Sequence, residues 1–341
     1  MKKVLGISAL IIAICSTALA ANLPKEKTAP RLAPGYEKAA TMIWKVTNDE
    51  AMQKFISVQP HALPKDTKTV EIKITVPNRK SFMDMHIYKP QQGTEEKLPI
   101  IYYSHGGGYL FRGALYNSAK YQKLADDLKM AIVTEDYRIS SEAAQPAQVE
   151  DAYAGLKYIH ENAKTYGLDG SKLIIMGDSA GGGLTAALAM YNRDHGKLPV
   201  KGQVLIYPML DYRTGGSEDT YKAVATGEFI WPHETNVFAW DKFRGKKKVA
   251  DMNSKELSYY SPTFAKNFKN LPPAIIYVGD MDLFVNEDID YANKLIKNGI
   301  STELHVVPGL THAFDLANPK GDLTKDFWKS IYNATKRFLS R

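Results

Sequence analysis

The chain has 341 residues, 44% of them hydrophobic and 24% charged, with a formal net charge of +7 at neutral pH. That length and composition suit one large α/β domain or two smaller ones, and no repeat or low-complexity tract interrupts the sequence. Lysines and acids alternate along most of the chain, and the densest basic run, Arg244-Gly245-Lys246-Lys247-Lys248, is short; a nucleic-acid footprint is excluded.

Residues 1–20 read as a secretory signal peptide. Lys2 and Lys3 precede an apolar run from Val4 to Ile14, and Ala18-Leu19-Ala20 supplies a cleavage site before Ala21. The run is too short to span a bilayer, so stable membrane insertion is not expected and the processed chain is periplasmic or extracellular. Loss of the two lysines takes the charge to 7 − 2 = +5. The only cysteine, Cys15, lies in this segment, with Ile14 where a lipid-attachment site would carry a small residue. The processed chain therefore holds no disulfide and no cysteine metal site.

Residues 21–35, rich in Pro, Ala and charge, read as a mobile lead-in. The spacing of Ala40, Ile43, Trp44, Phe55 and Ile56 predicts a helix over 36–58. Alternating strands follow at 70–76 and 83–88, then a continuous apolar strand at 98–103. A helix around 119–128 leads to a buried strand at 131–135, a helix at 147–165, and a strand and helix on either side of Ser179. Further strands are read at 203–207, 274–279 and 302–307, with helices at 288–298 and 324–339. Alternating strands followed by strand–helix alternation predict a mostly parallel eight-stranded sheet, antiparallel at its start, with helices on both faces. Residues 212–260 break the rhythm with no clear strand but many aromatics, among them Phe229, Trp231 and Trp240. They are expected to form a helical cap together with 36–60, over a single domain spanning 36–341.

Three features carry chemistry. Lys172-Leu-Ile-Ile-Met-Gly177-Asp178-Ser179-Ala180-Gly181 is an apolar strand running through Gly-x-Ser-x-Gly into a helix-forming stretch. Such a sharp turn exposes the serine hydroxyl at the sheet's C-terminal edge and needs small neighbours. The strand at 98–103 runs into His105-Gly106-Gly107-Gly108-Tyr109, whose backbone amides can face inward with no Cβ in the way. With no Lys-Ser or Lys-Thr after it, a phosphate loop is disfavoured. Gly107, Gly108 and the amide of Ala180 are expected to hold a developing oxyanion. The third feature is the general base. Among eight histidines, His312 in Pro308-Gly309-Leu310-Thr311-His312 follows the last strand and reaches the correct edge, whereas His305 lies inside that strand. After the preceding strand, Asp280 and Asp282 are the candidate acids; Asp280 ends the strand and suits the turn, so Asp282 is preferred. The order Ser179, Asp282, His312 is that of an α/β-hydrolase triad.

From Leu98 to Phe314 the chain resembles the hormone-sensitive-lipase-like carboxylesterases, on the strength of His-Gly-Gly-Gly at 105–108 and Gly-Asp-Ser-Ala-Gly-Gly at 177–182. Asp136-Tyr137-Arg138, Pro146, Glu150-Asp151, Ser261-Pro262 and Leu271-Pro272-Pro273 are similar to further family stretches. Asp282-Leu283-Phe284 matches the family's acid, although Asn286 has lost one of the acids that usually follow, and Ser141 stands where the family carries proline. The resemblance implies a serine esterase acting on a small-molecule ester, without metal or cofactor. Monomer and homodimer are both left open by the sequence. Tyr109, Phe229 and Trp231 are expected to contact substrate. A short-to-medium acyl ester is the first expectation. Deacetylation of carbohydrate or arylformamidase-like amide hydrolysis is the second, and a non-catalytic ligand-binding homologue the remote third.

Overall fold

The computed structural model describes residues 28–59, 69–92, 97–113, 117–221 and 225–340. The expected signal peptide, with Cys15, lies outside them. Eight strands form one sheet: β1 (Thr69–Ile74), β2 (Met83–Tyr88), β3 (Leu98–Ser104), β4 (Ala131–Glu135), β5 (Leu168–Asp178), β6 (Val200–Ile206), β7 (Ala274–Gly279) and β8 (Thr302–Val307). Their spatial order is β1-β2-β4-β3-β5-β6-β7-β8, with β1 and β2 antiparallel to their neighbours and all later pairs parallel. This is the mostly parallel sheet that the pattern predicts. Successive residues feed opposite faces, as the two-residue strand period demands. Ile100, Tyr102, Leu173 and Ile175 enter one core, while Ile101, Tyr103, Ile174 and Met176 enter the other.

Helices cover both cores. On the first face lie α3 (Ala147–Asn162) and α4 (Ala180–His195), through Leu156, Ile159, Leu184 and Leu188. On the second lie α2 (Ser118–Leu128) and α9 (Asp322–Leu339), through Tyr121, Leu124, Phe327, Ile331 and Phe338. The remaining helices are α1 (Asp49–Ser57), α5 (His233–Arg244), α6 (Ser254–Tyr260), α7 (Val285–Lys297) and the single turn α8 (Phe314–Ala317). Among the described residues no helix is long and apolar enough to cross a membrane.

Three expectations are corrected. Residues 28–35 are not a mobile lead-in: Leu32 and Ala33 are buried, and the Ala33 N–H donates to the Gly309 carbonyl at 2.9 Å. The helix expected over 36–58 is two pieces, a 3₁₀ segment at Glu37–Thr41 and α1, separated by extended chain. The break has a local cause. Asn48, in extended conformation, caps α1 by accepting the Ala51 N–H at 2.8 Å, a better use for an Asn side chain than a helix interior. The freed backbone pairs elsewhere: Trp44 N–H donates to Ile230 and Ile230 N–H to Met42, at 2.8 and 2.7 Å. Thr235 adds a bond on either side, to the Trp44 carbonyl and from the Val46 N–H. Third, β5 starts at Leu168, ahead of the expected Lys172, with a register shift as it enters the sheet.

The chain leaves β3 for β4 on one side and then returns to place β5 on the other. The loops after β3 and β5 therefore diverge above the sheet, the position at which open α/β sheets present a crevice.

Candidate active site

Ser179 sits between the last residue of β5 and the first of α4, with φ 57° and ψ −123°. A non-glycine residue holds such a backbone only where its surroundings over-determine it. Here the Ser179 N–H donates to the Ile206 carbonyl at 2.9 Å, and its own carbonyl accepts from Gly183 and Met209 at 3.0 Å each. The glycines follow from the crossing of chains. A Cβ on Gly181 would collide with the Ser104 carbonyl, and one on Gly177 with the Gly181 carbonyl.

The turn after β8 brings His312 to this serine. Ser179 Oγ and His312 Nε2 are 2.9 Å apart, and His312 Nδ1 is 2.8 Å from Asp282 Oδ2. All three are buried, Asp282 and His312 to 2% exposure or less. The remaining Asp282 oxygen accepts the Phe284 N–H at 3.0 Å, so the carboxylate is fixed from both ends. This pattern puts the ring proton on Nδ1 and leaves Nε2 to accept from the serine. Rings enclose the imidazole: Tyr207 and Phe284 meet it edge-on at 4.8 and 5.1 Å between centroids. Asp280, the other candidate acid, accepts the Gly309 N–H at 2.7 Å and pairs with Arg31, so it braces the turn that carries His312.

The loop after β3 lies alongside. Gly107 and Gly108 have φ of 122° and 61°, and their N–H groups enter no hydrogen bond among the described residues. Ala180 is the first residue of α4, where amides lack an intrahelical acceptor. A side chain on Gly108 would clash with Trp231, because a Cβ there would lie well inside van der Waals contact of a ring carbon. Trp231 is itself pinned, its Nε1 donating to Asn236 at 3.0 Å and Asn236 to the Thr214 carbonyl at 2.7 Å. His105 is a structural member of this loop: buried and stacked on Tyr137 at 4.2 Å, its desolvated ring has a pKa lowered to about 4.

A cavity opens over Ser179, His312 and the glycine loop, walled by Trp44, Phe55, Phe111, Trp231 and Leu316. Of the three residues expected to contact substrate, Trp231 lines it. Tyr109 and Phe229 do not: Tyr109 is buried against Phe243, stacked at 3.8 Å, and Phe229 lies in the second core. Tyr109 has φ 59° and belongs to the first core, with Phe229 in the second. The sequence reading did not place Trp44, Phe55 or Gln59 at the site; Trp44 and Phe55 left a signal only as apolar positions of the expected 36–58 helix, and Gln59 left none. Gln59 forms a reciprocal pair with the backbone of Arg112, its Nε2 donating to the carbonyl and its Oε1 accepting the N–H, both at 3.0 Å. It thereby ties the end of α1 to the loop that follows the glycines.

Behind the triad, Glu287 accepts the Leu210 N–H at 2.6 Å and a bond from Thr214, and burial raises its pKa. Asp288, in the first turn of α7, is likewise buried with a raised pKa. Among the described residues no group of three or more His, Cys, Asp or Glu is arranged to hold a metal.

A family model described as alpha/beta hydrolase fold matches residues 101–316. An arylesterase of Saccharolobus solfataricus is 28% identical over 293 residues, covering 82% of this chain and 91% of the relative. Among solved structures, a bacterial heroin esterase aligns with a TM-score of 0.80 at 28% identity, covering 92% of this chain and 99% of that one. A hyperthermophilic esterase from Pyrobaculum calidifontis aligns with a TM-score of 0.69 at 31% identity, over 79% of this chain and 85% of that one.

Proposed function

The chain belongs to the α/β-hydrolase family, and we propose that it is an exported serine carboxylesterase that hydrolyses esters of short to medium acyl chains. The observation that carries the reading is the unbroken chain Ser179–His312–Asp282, at 2.9 and 2.8 Å, opening into a cavity beside unpaired amides. Relatives named as esterases support ester chemistry, and the basic, apolar and small-residue order of residues 1–20 supports export.

In the mechanism, Ser179 Oγ attacks the ester carbonyl carbon as His312 Nε2 takes its proton. The imidazolium is stabilised by Asp282 through Nδ1–H. The carbonyl oxygen becomes an anion and accepts from the amides of Gly107, Gly108 and Ala180, which need no reorganisation to meet it. Collapse of the tetrahedral intermediate breaks the bond to the alcohol oxygen, which leaves with the proton from His312. Water, deprotonated by the same nitrogen, then attacks the acyl-enzyme; the acid departs and the serine recovers its proton.

The test uses p-nitrophenyl esters of graded acyl length, with the native protein beside Ser179→Ala. Turnover that peaks at short chains, is lost in the variant and is accompanied by stoichiometric organophosphonate labelling of Ser179 is expected. Wild-type turnover in a folded Ser179→Ala protein would refute the assignment.

A further inference from the structure

The cavity is lined by polar as well as aromatic residues, among them Asp178 and Lys120, the latter on the first turn of α2. Its side chain is only 18% exposed, and Nζ lies 3.6 Å from Asp178 Oδ1 and 3.9 Å from Asp315 Oδ2. Tyr103 and Trp328 hold the ammonium from their ring faces, at 5.3 and 5.8 Å. Each carboxylate is anchored by a phenol, Asp178 by Tyr103 at 2.6 Å and Asp315 by Tyr207 at 2.7 Å. Both ammonium–carboxylate distances exceed a direct hydrogen bond, so among the described residues the Lys120 N–H donors have no hydrogen-bond acceptor.

We propose that this polar lining selects esters of polyhydroxylated alcohols, with Lys120 as a specificity-determining residue. The inference rests on the serine esterase reading and adds the alcohol half of the substrate. Its placement follows from the chemistry. The leaving oxygen takes its proton from His312, so the alcohol departs on that residue's side. Tyr207, which meets the His312 ring edge-on, is the residue bonded to Asp315, and both it and Lys120 line the cavity.

Charge decides the class. An anionic group would gain Lys120 but face the Asp178 carboxylate, and a cationic group would face the ammonium. An alkyl group would strip water from both and return nothing. A hydroxyl is neutral and both gives and takes a hydrogen bond, which matches a donor beside an acceptor. Adjacent hydroxyls use the pair more fully than one, and Trp44 and Trp231, which also line the cavity, offer apolar surface to the C–H groups of a polyol or sugar ring.

The decisive pair is glycerol 1-acetate against propyl acetate, which share acyl group and carbon chain and differ by two hydroxyls. The native protein is expected to favour the glycerol ester by about tenfold or more in kcat/KM. Lys120→Met should reduce that ratio about tenfold, with Lys120→Arg retaining part of it. A purely structural role for Lys120 would lower both esters equally and leave the ratio unmoved, which would overturn the inference. So would native protein that cleaves p-nitrophenyl acetate yet shows no preference for the glycerol ester; that result needs no variant and leaves the esterase reading intact. Silence toward all three esters would sink the esterase reading and this one with it. A monoacetylated methyl glucoside completes the panel: faster cleavage than the glycerol ester assigns a sugar, slower cleavage an open polyol, and either supports the hydroxylated class.

Discussion

The floor of the cavity and its aromatic wall are made by different means. The floor is backbone: Ser179, Gly107, Gly108 and Ala180 take their positions from strand ends, and Gly181 packs so tightly on Ser104 that no side chain fits between them. The wall is side chain, carried by segments with little regular structure. Trp44 lies between a 3₁₀ turn and α1, Trp231 lies just before α5, and the two stretches hold each other through the Met42–Ile230–Trp44 bonds. The serine and the glycine loop are thus fixed by strand ends, and Trp44 and Trp231, which shape the cavity, hang from irregular segments.

The largest predicted effects lie in the floor. Asp282→Asn should reduce kcat about 10⁴-fold through the wrong His312 tautomer, on every acyl length alike, with circular dichroism unchanged. A loss that depended on chain length would merge floor and wall. Gly108→Ala tests where they meet. Its Cβ would strike Trp231 and its φ of 61° disfavours a side chain, so the displaced amide should cost about 10²–10³ in kcat. Adding Trp231→Ala should restore part of that loss; no recovery in steady-state kinetics would assign the whole effect to backbone strain.

His105 sharpens the comparison through pH. Its folded pKa, about 4, lies below the usual 6.5, so between those values the unfolded chain takes up a proton that the folded chain refuses. Its contribution to stability is present above pH 6.5 and is lost as pH falls through 4, to the extent of about 3 kcal/mol. An NMR titration in which the His105 ring charges near pH 6.5 would show that the loop is more open than its packing implies. The smallest effect belongs to the wall. Gln59→Ala removes the paired bonds to Arg112 and should raise KM a few-fold with little change in kcat, as read on the graded p-nitrophenyl esters.

The same division explains what the sequence disclosed. Buried parallel strands are short apolar runs, and 131–135 and 274–279 were legible to the residue; 302–307, a half-exposed edge strand, was also read to its bounds. That Ser179, His312 and Asp282 come together was legible because each follows a strand at its C-terminal end. The structure of 36–58 was not. Apolar spacing over 36–58 fits a helix, yet Asn48 prefers to cap one, and the pairing of Met42 and Trp44 with Ile230 joins residues nearly two hundred apart, which no local pattern records. Tyr109 and Phe229 pack into the two cores, a choice that apolar spacing alone does not decide. Lys120 gave no signal, since a lysine on an amphipathic helix ordinarily faces solvent; only the folded chain brings Asp178 and Asp315 to it.

The distribution of the site over the sheet has a consequence for how the protein comes to life. Its groups follow β3, β5, β7 and β8, and the span from Gly107 to His312 is 312 − 107 = 205 positions. Parallel strands joined by long crossovers are among the slowest contacts for a chain to make. Helices can form early in refolding, but hydrolysis must await the docking of the final strand, so recovered turnover should trail recovered ellipticity. A ribosome-bound chain that has not passed β8 lacks the His312 partner of Ser179. On the proposed mechanism, such a chain should not turn over ester.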